Sequence, residues 1–307
     1  MAGPLGVWLR EQATMRQEAK EQTSGRRSKV LLFGLPLLAF LWILLPVETG
    51  AKLALSFMAV GLGFGWAEMP KVRAIKKVKI GINEAIAEAL GLEYEHDCEA
   101  GTPFELARSC RLVPDFDRAR FEDKWSGTLG GRNFSVHEAK LEERRGSGKN
   151  RRWVTVFRGV IMSVALDRDF HGTTVLVRDR MHRSFWGGRK DSIEVDGIRL
   201  DYAEMSHPEF EDAFDIYSSD QVEARYLIHP LYVERLIALE QSYSGQDVAT
   251  IFHRGDLVVA LKSGNMFESG SIEASNDRLR IEQTVEQFSN LVALAESLRD
   301  RERRTGG

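Results

Sequence analysis

Two strongly apolar segments near the N-terminus constrain this chain more than any other feature of its sequence. Residues 30–47 contain no charged side chain, and their length is close to the roughly 20 residues that a helix needs to cross a hydrocarbon core. A second apolar stretch, residues 53–67, follows after Glu48, Thr49 and Gly50. Alone, this shorter stretch could be a buried core helix, but pairing with the first segment would bury both. The sequence therefore predicts a transmembrane helical hairpin over residues 30–67.

Basic residues on both sides of the apolar segments predict the orientation of the hairpin. Arg26, Arg27 and Lys29 precede the first segment, and the connecting loop carries only Lys52. Short flanks rich in Lys and Arg remain on the cytoplasmic side of a membrane. We therefore expect two spans with both termini in the cytoplasm. The basic residues after the second segment are expected to contact anionic lipid headgroups; they are Lys71, Arg73, Lys76, Lys77 and Lys79.

A cleaved signal peptide is the competing interpretation of the first segment. Cleavage requires a short apolar core followed by a site of small residues. A charged leader of about 29 residues and a second apolar run favour the hairpin instead. Within the second segment, Gly61, Gly63 and Gly65 would allow another helix to approach closely. We favour packing of these glycines against the first helix over a dimerisation face.

The distribution of charge separates the N-terminal region from the rest of the chain. Residues 1–79 contain 12 Lys and Arg against 5 Asp and Glu, whereas residues 80–307 contain 30 against 40. Because the body is acidic, it lacks the basic footprint of a nucleic-acid binder, and no nucleic-acid partner is expected. With only Cys98 and Cys110, a disulfide framework is excluded, and we expect two reduced thiols.

The region after residue 68 contains short strand signals and amphipathic helix signals without strict alternation. Strands are predicted at residues 133–141, 153–166, 173–177, 192–195 and 198–202, and on both sides of the turn at 254–256. Helices are predicted at residues 72–92, 221–227, from Pro230 to before Gly245, and 276–303, whereas residues 93–124 are expected to be irregular. This order favours an α+β fold with a mainly antiparallel sheet over a doubly wound sheet.

Four regions follow from these patterns. Residues 1–29 form a cytoplasmic leader, and residues 30–67 form the hairpin. Residues 68–275 form a soluble cytoplasmic α+β domain. Residues 276–307 form a C-terminal amphipathic helix and tail, in which Ile281, Val285, Phe288 and Val292 share one stripe.

Several short runs in the soluble region resemble a known family. They are residues 216–227, His229-Pro230-Leu231, Phe157-Arg158-Gly159, residues 170–173 and Met266-Phe267-Glu268. Together they resemble bacterial membrane proteins catalogued as domain of unknown function 3137. The resemblance implies one or two N-terminal membrane segments before a soluble domain, and a place in the bacterial inner membrane. The family has no assigned activity, so the resemblance implies no catalytic residue.

Metal and nucleotide sites receive little support from the sequence. His96, Asp97, Cys98 and Cys110 are residue types that bind zinc, but no second pair completes a set of four at short spacing. No phosphate-binding glycine loop follows a predicted strand. We therefore expect no metal and no cofactor.

An acidic stretch and a basic stretch remain as candidate sites. Asp220, Glu223 and Arg225 could act as acid, base and anion clamp, but Asp220 is also a good N-cap for a helix that begins at Gln221. The basic stretch 178–190 could contact lipid headgroups through Arg178, Arg180 and Arg183, or could be a solvated connection.

Taken together, these patterns predict a membrane-anchored binding or scaffolding module rather than an enzyme. Its partners would be the lipid bilayer and a protein or small ligand on the cytoplasmic face. The alternative is a membrane-bound hydrolase that uses acidic residues between Asp215 and Glu223. Convergence of these carboxylates with a basic residue in a cleft would favour the hydrolase.

Overall fold

The computed structural model describes residues 4–44, 46, 48–129, 131–166, 170–178, 190–204, 214–264 and 277–305. These residues belong to two compact units. The first comprises residues 1–83 and 268–280, and the second comprises residues 84–267 and 281–307.

Apart from residues 277–280, two long helices make up the described part of the first unit. Helix α1 spans Pro4–Ile43 and helix α2 spans Thr49–Leu90, belonging to this unit up to Asn83. The Arg27 Nε donates to Glu68 at 2.6 Å, and the Trp42 Nε1 donates to the Ser56 hydroxyl at 3.1 Å. The earlier α1 residue contacts the later α2 residue, and the later α1 residue contacts the earlier α2 residue, as in an antiparallel helix pair.

Two sequence predictions for these helices can be compared with the structure. A Cβ atom on Gly63 would lie 3.1 Å from the Val30 side chain, so this glycine packs against α1 as predicted, whereas a Cβ on Gly61 or Gly65 would meet nothing within 4 Å. Helix α2 ends where predicted, because Gly91 adopts a φ of +68° and the Leu92 N–H donates to the Ala87 carbonyl at 2.8 Å.

A ten-stranded antiparallel sheet dominates the described part of the second unit, in the order β1-β2-β3-β4-β10-β9-β5-β8-β7-β6. The strands are β1 (Glu93–Asp97), β2 (Arg118–Leu129), β3 (Arg132–Arg145), β4 (Arg152–Ala165), β5 (Thr174–Arg178), β6 (Ser192–Val195), β7 (Ile198–Tyr202), β8 (Phe214–Ser218), β9 (Gln246–His253) and β10 (Asp256–Lys262). The helices are α3 (Thr102–Ser109), α4 (Gln221–Leu227), α5 (Pro230–Ser242) and α6 (Asp277–Thr305). Helix α6 belongs to the second unit from residue 281 onward. The predicted α+β class is confirmed.

Two predicted hairpins form at tight turns that need positive φ at both central residues. Asp196 and Gly197 have φ of 50° and 76° between β6 and β7, and Arg254 and Gly255 have φ of 48° and 83° between β9 and β10. This geometry matches the right-handed twist of the strands on either side.

The prediction that residues 93–124 are irregular is wrong. They contain β1, α3 and the first half of β2. The alternation of β2 is hidden in the sequence because a bulge between Glu122 and Trp125 places Asp123 at a φ of 54°. Strand β1 is an edge strand whose exposed residues are Glu93, Glu95 and Asp97, so its apolar signal is weak.

The C-terminal helix forms as predicted but buries a different stripe. Phe288, Leu291, Leu294 and Leu298 are buried, whereas Val285 is 40% exposed. The Phe288 ring lies 4.9 Å from Trp125 between centroids, so α6 packs against β2 of the sheet. Of the predicted stripe, Phe288 is buried, Ile281 and Val292 are half-buried, and Val285 is exposed.

Candidate functional site

The middle sections of α1 and α2 expose large apolar side chains, which we call the apolar belt (residues 31–44 and 53–66). On α1, Phe33 is 68% exposed and Ile43 is 79% exposed; on α2, Phe57 is 77% exposed. Soluble monomers rarely leave so many neighbouring apolar side chains in water. Among the described residues, α2 alone is long and apolar enough to be a candidate membrane span, with a mean hydropathy of 1.3 over its best window.

Basic residues lie at one end of the belt. This end is formed by the α1 residues that come before the belt and the α2 residues that come after it. The Arg26 guanidinium lies 4.7 Å from the centre of the Trp66 ring and donates to the Trp66 carbonyl at 3.1 Å. Of the residues predicted to contact headgroups, Arg73, Lys76 and Lys77 are exposed, Lys71 is half-buried and Lys79 is buried. Headgroup contact by these residues stays a prediction.

Two polar grooves lie between α1 and α2 on this basic side of the belt. Groove A has a volume of about 260 Å³ and is lined by Lys20, Thr23, Ser24, Arg27 and Lys71. Groove B has a volume of about 210 Å³, and its charged lining residues are Glu18, Arg26, Arg73 and Lys77. Sequence reasoning identified Lys71 but missed Lys20 and Thr23. The spacing of Lys20, Thr23 and Arg27 in the sequence places these three residues on one face of α1.

In the second unit, two of the family-like runs meet in one hydrogen-bonded cluster. The Thr173 N–H donates to the Ser219 hydroxyl at 2.9 Å, and the Ser219 N–H donates to the Thr173 carbonyl at 3.1 Å. A Cβ atom on Gly172 would lie 2.9 Å from both the Asp220 side chain and the Ser219 hydroxyl. The segment before β5 is thus held directly against the start of α4.

The carboxylates of the acidic stretch serve backbone groups. Asp220 caps α4 by accepting from the N–H groups of Val222 and Glu223, both at 2.9 Å. Glu223, itself buried, accepts from the N–H groups of His171 at 3.1 Å and Gly172 at 2.8 Å. These contacts favour the N-cap interpretation over acid–base chemistry, because both groups already hold the backbone.

A histidine lies on the other side of the same cluster. The Thr173 hydroxyl and the His253 Nδ1 are 2.9 Å apart. Partial burial, together with the nearby Arg254, lowers the pKa of His253, which favours its neutral form. The cluster therefore joins β5, β8, β9 and α4 without a charged imidazole, as expected for a structural junction.

A second polar cluster fixes the edge of the sheet. Asp123 is fully buried, accepts from the Tyr94 hydroxyl at 2.5 Å and lies 2.8 Å from the His96 Nδ1. Trp125 packs on Tyr94 with ring centroids 5.0 Å apart. Burial and the nearby Glu95 raise the pKa of the Cys98 thiol to about 11, so this cysteine is not a thiolate nucleophile at neutral pH. The cluster ties β1 to β2.

A groove of about 250 Å³ lies where the start of α3 meets the sheet. Its polar lining comes from Thr102, Asn133, Ser135, Ser163 and Asp256. The hydroxyls of Ser135 and Ser163 are 2.9 Å apart, and burial raises the pKa of Asp256. The groove is large enough for a small polar ligand.

Arg178 is engaged within the second unit. Its guanidinium forms an ion pair with Glu240 of α5 and lies 4.3 Å from the centre of the Phe214 ring. Glu240 also accepts from the Val248 N–H at 3.3 Å. Arg180 and Arg183 lie outside the described residues, so lipid contact by this basic stretch stays a prediction.

Metal-binding groups do not converge in the part of the chain that the structure describes. No set of three or more His, Cys, Asp and Glu side chains is placed there to hold an ion. Cys98 and Cys110 are both free thiols, and burial raises the pKa of Cys110 to about 11.

These features define an α+β protein in which an antiparallel sheet follows two long helices in the chain, of which α2 is long and apolar enough to be a candidate membrane span. Residues 155–299 match the model of the family described as "Protein of unknown function (DUF3137)", which confirms the resemblance to this family but not the membrane segments that the resemblance implies. The match covers the cluster around Thr173, Ser219 and Glu223 but does not reach α1 and α2.

No curated protein matches the sequence at a significant level. Among solved structures, the crystal structure of the mycobacterial trehalose monomycolate transport factor A, TtfA, is similar at 11% sequence identity and a TM-score of 0.36. That similarity covers 73% of this chain and 96% of that chain. At this score the similarity carries no functional inference.

Proposed function

We propose that this chain is a membrane-anchored, non-enzymatic binding module. Helices α1 and α2 cross a bacterial inner membrane as a two-span hairpin with both termini in the cytoplasm. The α+β body, residues 68–275, binds a protein partner or a small ligand on the cytoplasmic face. The amphipathic helix and tail at 276–307 complete this body.

The apolar belt is the observation that carries the proposal. It occupies both helices, and the chain contacts between them are those of an antiparallel pair. Bilayer hydrocarbon is the environment in which exposed Leu, Phe and Ile side chains cost nothing in hydration. The tryptophans Trp42 and Trp66 lie near the two ends of the belt, where indole rings favour the membrane interface.

The engaged carboxylates support a binding role over a hydrolytic one. Asp220 and Glu223 are already hydrogen-bonded to backbone N–H groups. Binding of a small polar ligand requires only a shaped groove with a few polar groups, and the groove beside α3 has these. We therefore place the ligand in that groove.

Anchoring can be tested by placing charge in the belt. The double variant Leu37→Lys and Val60→Lys, at exposed positions near the centres of the two spans, should release the chain from membranes on carbonate extraction, because a lysine near a span centre costs about 2.5–3.5 kcal/mol. Val222→Lys is the matched control, since Val222 is 76% exposed but lies on α4. Membrane retention of the double variant, or extraction of the wild-type chain, would contradict the proposal.

A further inference from the structure

Groove A has the composition of a binding site for an anionic group. On α1, Lys20, Thr23 and Arg27 follow one another at intervals of three and four residues, so their side chains share one face. Lys71 of α2 faces them across the groove. Arg27 is paired with Glu68, so Lys20 and Lys71 supply the positive charge of the groove.

A buried hydroxyl gives the groove a second, independent indication of a ligand. Thr23 lines the groove and is only 5% exposed, and its Oγ1 has no hydrogen-bond partner among the described residues. Buried hydroxyls in proteins nearly always have a partner. A phosphate oxygen in the groove would accept a hydrogen bond from this hydroxyl.

The position of the groove along the helices fits a lipid headgroup. Arg27 precedes Leu31, the first residue of the belt, by four residues, and Thr23 precedes it by eight, which places them about 6 Å and about 12 Å beyond the belt along α1. The polar headgroup layer of a bilayer begins at the end of the hydrocarbon core and is several ångströms thick. If the belt lies in hydrocarbon, Arg27 therefore lies within the headgroup layer, and Thr23 lies at the water-facing side of that layer, where a headgroup phosphate can enter the groove.

We propose that groove A binds the phosphate of an anionic phospholipid headgroup, with Lys20 and Lys71 as its cations and the Thr23 hydroxyl as a donor. This inference rests on the proposed membrane anchoring and adds a specific lipid site to it. Basic pockets between membrane helices on the cytoplasmic side are well suited to such headgroups. Groove B is a poorer site, since it contains Glu18 and its Arg26 is stacked on Trp66.

The test measures lipid binding to the full chain in detergent micelles by native mass spectrometry. Short-chain phosphatidylglycerol is titrated against short-chain phosphatidylcholine. The wild-type chain should prefer phosphatidylglycerol about tenfold or more, and the double variant Lys20→Gln and Lys71→Gln should lose that preference. The double variant Arg73→Gln and Lys77→Gln removes the same charge from groove B and should change binding less than about twofold. Equal losses in the two variants would overturn the site in favour of diffuse attraction.

A third variant separates the hydroxyl from charge. Thr23→Val keeps the shape and the net charge, and it removes a buried hydroxyl without a partner, so the fold should tolerate it. We expect phosphatidylglycerol binding to weaken about fivefold. An unchanged affinity would contradict the role of Thr23 as a donor.

Two further arms distinguish the possible failures. Inorganic phosphate and glycerol 1-phosphate should bind far more weakly than phosphatidylglycerol, and equal binding would overturn the lipid assignment in favour of a soluble phosphate. Carbonate extraction of the wild-type chain tests the anchoring separately. Extraction from the membrane would overturn the anchoring and this inference with it, whereas retention without a phosphatidylglycerol preference would overturn only the headgroup site.

Discussion

Glu223 shows, at the scale of single residues, how a carboxylate in the family-like region is used. Its two oxygens accept from consecutive N–H groups, those of His171 and Gly172, and so hold the segment before β5. The adjacent Thr173 and Ser219 exchange hydrogen bonds in the same place. A buried residue of this kind contributes to stability through the donors that it satisfies.

Replacing Glu223 should therefore destabilise the fold. Glu223→Ala leaves the N–H groups of His171 and Gly172 without this charged acceptor, and we expect the free energy of unfolding to fall by about 2–4 kcal/mol. Glu223→Gln retains one acceptor oxygen and should cost less. Glu234→Ala, at an exposed position on α5, is the control and should change stability by less than about 0.5 kcal/mol. Denaturant unfolding of the full chain in detergent measures all three, and equal effects of Glu223→Ala and the control would contradict this role.

His137 makes stability depend on pH. Its ring is buried against Phe121, and burial, with a smaller contribution from Lys124, lowers its pKa to about 4 from the usual 6.5. The unfolded chain therefore takes up a proton below pH 6.5 that the folded chain does not, and stability is lost as the pH falls towards 4.

Lowering the pH from 7.5 to 5 should reduce the free energy of unfolding of both the wild-type chain and the His137→Phe variant. We expect the reduction to be about 2 kcal/mol larger in the wild-type chain. Denaturant titrations at the two pH values provide the measurement. The phenylalanine variant removes the titrating group and keeps an aromatic ring in the core. Identical pH dependence in the two proteins would show that His137 is not the group responsible.

At the scale of elements, the contact between β4 and β10 depends on a missing side chain. A Cβ atom on Gly159 would lie 2.0 Å from the Leu261 carbonyl oxygen, at the point where β10 shifts register against β9. We expect Gly159→Ala to destabilise the protein by about 1–3 kcal/mol or more, because the strands must separate to admit the methyl group.

Gly264→Ala is the matched control, since nothing lies within 4 Å of its added Cβ. It should change the denaturant midpoint very little. A Gly159→Ala variant as stable as this control would mean that β4 and β10 approach less closely than described.

The sequence predicted those elements whose signals are local. The Asp196-Gly197 and Arg254-Gly255 turns, the Asp220 cap and the Gly91 stop each depend on one or two residues, and all four were found. Strand β8 was missed because all five of its residues are buried, so no polar alternation marks it. The partners of Glu223 lie 51 and 52 residues away, and such pairings depend on the whole sheet rather than on spacing.

At the scale of the whole molecule, charge and hydrophobicity both separate the N-terminal helical region from the rest of the chain. The region around the belt is basic, whereas residues 80–307 are acidic. Cytoplasmic flanks of membrane spans carry an excess of Lys and Arg, and anionic lipid surfaces repel an acidic body. This division is what we expect if the helices lie in a membrane and the body is held in water beside it.

Reporter fusions to the full chain test this account most directly. Alkaline phosphatase is active only outside the cytoplasm. Green fluorescent protein fluoresces in the cytoplasm but not after export in the unfolded state. Fusions after Lys29 and after Gly307 should both report a cytoplasmic position, because basic flanks surround the belt on that side. A fusion at Thr49, between the two helices, should report an external position. A cytoplasmic signal at Thr49 would contradict the two-span hairpin and with it the proposed anchoring.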